Sequence, residues 1–229
     1  MPKATATPPR SSRITLPQRI ATDRLVLRPW RRTDAPLLKS VIDANLEHLR
    51  AWMPWAQKEP SALPVVEQRI DRFDRQFRAE SEWAYAILSD GEKMLYGGAG
   101  LVRSTERGAL ELGFWLGKSW TKQGYATEAA RALTNAAMGV PGIERVQIRC
   151  DARNADSAAV ARRAGYRHLT TLNNHVFEHG APPRDTMVWE FGGSTAIPAA
   201  APARRGFWAL LKSLFGGGNK YMARPRRNP

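Results

Sequence analysis

The stretch that decides the fold is Glu111-Leu112-Gly113-Phe114-Trp115-Leu116, then the polar turn 118–123, then Gly124-Tyr125-Ala126-Thr127-Glu128-Ala129. The first six residues form an apolar run typical of a strand. After Gly124 the apolar residues follow a helical spacing as far as Met138. The unpaired N–H groups at the start of a helix, together with its macrodipole, attract anions. A strand, a turn and a helix whose first turn has small residues therefore predict a pyrophosphate site.

The segments on either side predict one α/β (α+β) domain. Upstream, a strand at 25–27 precedes helical segments at 34–42, 46–53 and 65–79. Three strand-like runs separated by turns lie between 83 and 116 and favour an antiparallel meander. Downstream, the pattern predicts a strand at 146–150, a helix at 155–164 and strands at 168–172 and 187–191. We expect a mixed, mostly antiparallel sheet flanked by helices.

The formal charge of +14 is concentrated at the two ends of the chain. Residues 1–19 hold four basic residues, residues 192–229 hold seven, and neither segment holds an acidic residue. The segment 20–191 contains all the acidic residues and is only slightly basic, so the domain itself does not demand a polyanionic partner.

Composition predicts a domain at 20–191 between two basic tails. Residues 1–19 are rich in Pro, Ser, Thr and Arg and read as disordered. Residues 192–229 begin with a linker composition and contain a short amphipathic segment at 205–215. This segment is expected to dock on its own domain, on a partner or on an anionic membrane, and both tails are candidates for weak, salt-sensitive RNA contact.

Several classes of protein are excluded by what the sequence lacks. The single cysteine, Cys150, excludes an internal disulfide framework and a cysteine-rich metal site. No apolar run is long enough to cross a bilayer, and no signal peptide is recognisable. The four histidines form no convincing metal cluster with carboxylates. We therefore expect a cytoplasmic protein without a metal.

Four motifs, in order, carry a resemblance to a known family. The segment 124–129 after its Gly-Phe-Trp-Leu strand resembles the cofactor motif of the GNAT superfamily of N-acetyltransferases, and 150–166 resembles the second motif of that superfamily. The segments 22–29 and 48–55 resemble the RimJ/RimL branch, which acetylates the N-termini of ribosomal proteins. The resemblance covers about residues 20–191 and implies a GNAT-like fold that uses acetyl-CoA.

The resemblance also implies which residues bind the cofactor. In this family two neighbouring strands separate and leave main-chain groups free to bind the cofactor. Here those would be the main-chain groups of Phe114, Trp115 and Leu116, which would bind the pantetheine arm together with Asn154. The pyrophosphate would be held by Lys122, Gln123, Gly124, Tyr125, Ala126 and Thr127. This sequence differs from the motif at Thr121, where the family usually has Arg or Gln. The shorter threonine side chain would reach less far towards the pyrophosphate.

Three residues are candidates for catalysis by the same resemblance. Ser157 would donate to the departing thiolate, Tyr166 would approach the same sulfur, and Glu111 would act as general base. Each also has a purely structural interpretation: an early-turn helix residue, a core aromatic and an ordinary strand position. Some relatives keep a catalytic glutamate where this chain has Val176, so that role does not transfer, and His175 is an alternative base.

The position of Cys150 bears on the mechanism. It alternates with Val146 and Ile148, which predicts a buried strand residue. A covalent acetyl-cysteine route needs an exposed, activated thiolate. We therefore expect the amine to attack bound acetyl-CoA directly.

The acceptor is expected to be a peptide or protein N-terminus, with ribosomal proteins as the candidate class. Trp52, Trp55 and His175 are the candidate acceptor-binding residues, although the two tryptophans would equally suit a hydrophobic corner between helices. A small-molecule amine is the alternative acceptor. A non-catalytic protein that binds CoA or the ribosome is the alternative from another class. The oligomeric state is left open.

Overall fold

The computed structural model describes residues 13–176 and 183–193, which contain an eight-stranded sheet. The strands are β1 (Ile20–Ala21), β2 (Leu25–Pro29), β3 (Glu82–Ser89), β4 (Leu95–Arg103), β5 (Ala109–Leu116), β6 (Arg145–Asp151), β7 (Arg167–Val176) and β8 (Arg184–Gly192). Their order is β1-β2-β3-β4-β5-β6-β8-β7. Every neighbouring pair is antiparallel except β5 and β6. The predicted mixed, mostly antiparallel sheet is confirmed.

The described residues form α1 (Ala35–Asp43), α2 (Leu46–Arg50), α3 (Leu63–Arg78), α4 (Tyr125–Met138) and α5 (Ala155–Arg163). α2 is shorter than predicted because the chain leaves helical geometry by Met53, which is extended. The residue before a proline avoids the helical region, and Pro54 follows Met53.

Two hydrophobic clusters cover the two faces of the sheet. Along β3, alternate side chains enter different clusters: Tyr85 packs with α4 in one, and Ala86 packs with α1 and α3 in the other. This alternation is the two-residue period of a strand. The helices therefore lie on both sides of the sheet, and the β5–α4 unit belongs to the first cluster.

The folded domain begins before the predicted boundary at residue 20. The side chains of Ile14 and Leu16 are buried in the first cluster, and the Tyr85 hydroxyl donates to the Pro17 carbonyl oxygen at 2.8 Å. Residues 13–19, which the sequence assigned to a disordered tail, thus contact the domain through two buried apolar side chains.

Most of the predicted tails lie outside the described residues. This applies to residues 1–12 and 194–229, including the amphipathic segment 205–215. What the sequence indicates about those segments stays a prediction. Within the described ranges, no helix combines the length and the apolar character that spanning a membrane requires.

Candidate active site

The site begins where β5 and β6 separate. The two parallel strands are in register from Ala109–Arg145 to Leu112–Ile148, and their ladder ends there. β5 nevertheless continues to Leu116 in register with β4, and β6 continues to Asp151 in register with β8. The separation of two strands that start as neighbours opens a gap in the sheet, as the family resemblance implied.

A cavity of about 140 Å³ lies beside the free end of β5. Four parts of the chain contribute to its walls: α2 and the residues after it, the end of β5, the turn into α4, and α5. The lining residues are His48, Leu49, Trp52, Met53, Phe114, Trp115, Leu116, Thr121, Lys122, Gly124, Tyr125, Ala126, Thr127, Asn154, Asp156, Ser157, Val160 and Arg163.

A second, smaller cavity of about 20 Å³ adjoins the first. The two share Trp52, Met53, Phe114, Asn154 and Ser157. The smaller one lies deeper between the strands, where it is also lined by Leu112 and by the stretch 148–151. The shared residues therefore mark the place where the two spaces meet.

The turn into α4 has the backbone shape of an anion site. Gly124 precedes the helix at φ 86°, and Lys122 also lies in the left-handed region at φ 61°. The first N–H to bond back along the helix belongs to Glu128, which donates to Gly124 at 3.0 Å. The N–H groups of residues 125–127 therefore have no acceptor within the helix, and these three residues line the cavity.

Most of the predicted cofactor residues meet at this cavity. Gln123 is the exception, because its side chain turns back to donate to the Ser119 carbonyl oxygen at 2.6 Å. Thr121 lines the cavity, but its hydroxyl donates to the Lys118 carbonyl oxygen at 2.8 Å. Lys122 and Arg163 are the cations in the lining.

Asn154 and Ser157 stand on the α5 side. The Asn154 Oδ1 atom accepts a hydrogen bond from the Ser157 N–H at 3.0 Å and so caps the helix. This cap fixes the first turn of α5 beside both cavities. Only the amide nitrogen of the Asn154 side chain is then available as a donor to a cofactor.

Cys150 is buried beside Ser157. Burial raises the pKa of the Cys150 thiol to about 11, although hydrogen bonds with Ser157 and Trp189 act in the opposite direction. A thiol with this pKa is almost entirely protonated at neutral pH, which is a poor state for a nucleophile. The buried position predicted from the alternating pattern is confirmed.

Tyr166 is placed away from the cavities. It is 4% exposed, its hydroxyl shares a hydrogen bond with Thr134 on α4, and its ring lies 5.7 Å from that of Phe191. Burial raises the pKa of Tyr166 far above its usual range. The structure does not bring this hydroxyl to the residues that line the site.

Glu111 is also absent from both linings. It is 1% exposed, and its carboxylate forms an ion pair with Arg149 at 3.4 Å. Arg149 lines the smaller cavity, so Glu111 lies behind a residue of the site. Its assignment as general base stays a prediction.

The predicted acceptor residues are divided. Trp52 lines both cavities, whereas Trp55 is 2% exposed and packs edge-on against Trp115 with ring centroids 5.9 Å apart. The packing of Trp55 corresponds to the alternative interpretation from the sequence, in which the tryptophan fills a hydrophobic corner. His175 lies within β7, not in a loop, and its side chain is outside the part of the chain that the structure describes.

His48 is a cavity residue to which the sequence assigned no role. Burial lowers the pKa of His48 below its usual range of about 6.5; the Lys118 charge acts in the same direction, while a hydrogen bond with the Leu116 backbone and the Asp156 charge oppose it. His48 is therefore neutral at physiological pH. The sequence could have pointed to His48 through its place in the motif 48–55. The sequence does not show that His48 contacts Leu116 on β5, because that contact is tertiary.

Comparison with known proteins decides the family. Residues 24–167 match the family described as acetyltransferase (GNAT) domain. The chain belongs to the GNAT acetyltransferases. This membership confirms the predicted acyltransferase class and the predicted fold.

Two Bacillus subtilis proteins are similar in sequence. The N-acetyltransferase YjdG is 30% identical over 84 residues, which are 36% of this chain and 50% of YjdG. YdaF, which carries a proposed ribosomal N-acetyltransferase function, is 29% identical over 160 residues, or 69% of this chain and 86% of YdaF. The match thus spans half of the first relative and most of the second.

Solved structures show the same fold. RimL, a ribosomal L7/L12 alpha-N-protein acetyltransferase in complex with coenzyme A, has a TM-score of 0.68 and 21% identity, covering 76% of this chain and 97% of RimL. The microcin C7 self-immunity acetyltransferase MccE, in complex with acetyl-CoA and AMP, has a TM-score of 0.67 and 19% identity over 75% and 93%. The coenzyme found in these neighbours agrees with acetyl-CoA as the donor expected of the family. The described residues contain no group of three or more potential metal ligands.

Proposed function

We propose that this protein transfers the acetyl group of acetyl-CoA to the primary amine of a peptide or protein N-terminus, by direct attack in a ternary complex. The observation that carries the proposal is a pair of adjoining cavities, one beside the free end of β5 and the other between β5 and β6. The larger cavity is bordered by the start of α4 with its free N–H groups, and the smaller one is not. A donor with a pyrophosphate and a separate acceptor suit such a pair.

The donor is proposed to lie along the end of β5 and the start of α4. The N–H groups of residues 125–127 and the Lys122 ammonium would bind the pyrophosphate, because both supply positive charge to one side of the cavity. Phe114, Leu116 and Asn154 would border the pantetheine arm.

Ser157 is proposed to assist the leaving group. A base first takes one proton from the ammonium form of the acceptor. The neutral amine nitrogen then forms a bond to the thioester carbonyl carbon, and the carbon–sulfur bond breaks. The proton that the attacking nitrogen loses reaches the sulfur through the Ser157 hydroxyl, which leaves an amide and the free thiol. The position of Ser157 where the two cavities meet supports this role, because the reacting atoms must come together there.

Two residues are candidates for the base. Glu111 has the family's strand position, but it pairs with Arg149 and would act through water. His48 lines the donor cavity and is held neutral by burial. A hydrogen bond to the main chain at Leu116 uses one ring nitrogen and leaves the other with its lone pair.

The pH dependence of kcat/KM separates these candidates. If His48 is the base, the rate falls as the pH drops through its lowered pKa, below 6.5, and His48→Gln removes this acidic limb. If Glu111 is the base, Glu111→Gln removes the limb and His48→Gln leaves it. Circular dichroism of both variants checks that they are folded.

The acceptor class is supported by the names of similar proteins, YdaF among them. RimL is named for acetylation of a ribosomal-protein N-terminus, and this favours a peptide acceptor. MccE shares the fold to a similar degree and is named for self-immunity to microcin C7, so a small-molecule amine is the second candidate.

The deciding experiment combines acetyl-CoA binding by calorimetry with thiol release in the presence of N-terminal peptides or small amines. Binding with peptide-dependent release supports the proposal. Release with small amines alone replaces the acceptor class. Binding without any release would instead favour a non-catalytic protein, and a folded protein that does not bind acetyl-CoA would refute the site.

A further inference from the structure

Arg24 reaches the turn before α4 from 99 residues earlier in the chain. It precedes β2, yet its Nη1 atom donates to the Gln123 carbonyl oxygen at 3.0 Å. Its Nε atom donates to Glu128 Oε2 at 2.8 Å, and its own backbone N–H donates to Glu128 Oε1 at 3.1 Å. Arg24 therefore connects both the turn and the first part of α4 to the segment that precedes β2.

The contact with Gln123 fixes the orientation of one peptide group. In a trans peptide, the carbonyl and the following N–H point in opposite directions. Since the Gln123 carbonyl faces Arg24, the Gly124 N–H faces away from it. Gly124 lines the cavity and Arg24 does not, so this N–H is turned to the cavity side.

The guanidinium is packed closely against the turn. A Cβ atom on Gly124 would lie 3.2 Å from Arg24 Nη2, and the guanidinium lies 4.6 Å from the centre of the Tyr125 ring. Tyr125 in turn stacks on Tyr96 with ring centroids 4.6 Å apart. Arg24 is thus held in place by an aromatic ring as well as by its hydrogen bonds.

Glu128 places a negative charge one turn into α4. Burial would raise the pKa of Glu128, but hydrogen bonds from Thr22 and Arg24 and the Arg24 charge bring this pKa below its usual value. Glu128 is therefore ionised at neutral pH. An unneutralised carboxylate at this distance from the helix start would repel a bound anion.

We propose that Arg24 is a positioning residue of the pyrophosphate site, because it turns the Gly124 N–H to the cavity and neutralises Glu128. Arg24 supports the turn from outside the motif, whereas the Arg or Gln that usually stands at the place of Thr121 would reach it from within the motif. The inference rests on the proposed function, in which this turn binds the pyrophosphate.

The test compares Arg24→Gln with the unchanged protein. Calorimetry with coenzyme A should show an affinity lower by about ten- to a hundredfold, because the charge-assisted bonds to Gln123 and Glu128 are lost and the Glu128 charge is no longer neutralised. The value of kcat/KM with acetyl-pantetheine, which has no pyrophosphate, should stay unchanged. A double variant, Arg24→Gln with Glu128→Gln, should recover part of the coenzyme A affinity.

Arg32→Gln is the matched control. Arg32 is an exposed arginine that pairs with Glu67 and Asp71, away from the cavity, and its loss should leave coenzyme A affinity unchanged. Where Arg24→Gln does not fold, Arg24→Lys takes its place, since it keeps the charge but lacks the forked donor set. A smaller loss of coenzyme A affinity is then expected.

Two results overturn the inference. One is an Arg24 variant that binds coenzyme A as tightly as the unchanged protein. The other is an equal loss with acetyl-pantetheine, which would mean that Arg24 acts on the fold as a whole. If the unchanged protein itself did not bind coenzyme A, the proposed function would fail instead, and the two failures are therefore distinguishable.

Discussion

The two halves of β5 do different work although they belong to one strand. The half Ala109–Leu112 is paired with β4 on one side and β6 on the other, and it carries the buried Glu111. The half Gly113–Leu116 keeps its β4 partner but borders the cavity where β6 has moved away. β5 is paired on both sides in its first half and on one side in its second half. It therefore provides a rigid support and a free strand edge within eight residues. The comparison teaches that the site depends on where pairing stops.

The largest effect is expected where the open half of β5 meets the anion site. Gly124→Glu adds a side chain at φ 86°, with its Cβ 3.2 Å from Arg24 Nη2, and puts a negative charge beside the pyrophosphate. Acetyl-CoA affinity should fall by at least about a hundredfold in calorimetry. Retained affinity in a folded variant would place the pyrophosphate elsewhere.

The two halves themselves can be compared by truncation. Leu110 is fully buried, so Leu110→Ala should lower the free energy of unfolding by about 2–5 kcal/mol. Phe114 is only partly buried and lines the cavity, so Phe114→Ala should cost less stability but weaken acetyl-CoA binding by about tenfold. Urea unfolding measures the free energy of unfolding of both variants, and calorimetry measures their acetyl-CoA affinity. If both variants lost stability and affinity equally, the two halves of β5 would not differ in role.

Ser157 tests the junction of the two cavities. Ser157→Ala should reduce kcat by about ten- to a hundredfold while acetyl-CoA affinity stays nearly unchanged, since the hydroxyl is proposed to act on the leaving group and not in binding. Steady-state kinetics and calorimetry provide the two numbers. Arg162→Gln changes an exposed residue of α5 outside both linings and is the comparison variant. An unchanged kcat in Ser157→Ala would exclude the serine from proton transfer.

The smallest effect is expected for Cys150. Because the raised pKa of its thiol leaves very little thiolate at neutral pH, Cys150→Ala should keep kcat within about threefold. The native thiol should also react slowly with an alkylating reagent at pH 7 and quickly after unfolding. A large loss of kcat, or an acetylated cysteine detected by mass spectrometry, would contradict direct attack.

The local parts of the fold were predictable because they depend on neighbouring residues. The helix after Gly124 was expected and begins at Tyr125. The alternating apolar pattern around Val146 predicted β6 to within one residue at either end. The end of α2 and the order at Ile14 were not predicted, since the first depends on a turn before Pro54 and the second on distant core partners.

The candidate site was predictable to the extent that its motif is continuous in sequence. Residues 124–127, Asn154 and Ser157 line the cavity as a group. Tyr166, Trp55 and Glu111 were chosen by motif position, but packing directs their side chains to Thr134, Trp115 and Arg149. His48 and Arg24 were missed because their partners are far away in the chain.

The sequence by itself determined an α/β domain, a strand–turn–helix unit whose helix start has free N–H groups, and a buried cysteine. These follow from periodicity, from glycine's freedom at positive φ and from unpaired N–H groups, all of which are local properties. Only the tertiary structure decided where β5 and β6 separate, that Arg24 supports the turn, and that Glu111 faces Arg149. The reason is that strand register and side-chain contacts join residues far apart in sequence, and no local pattern records which of them meet.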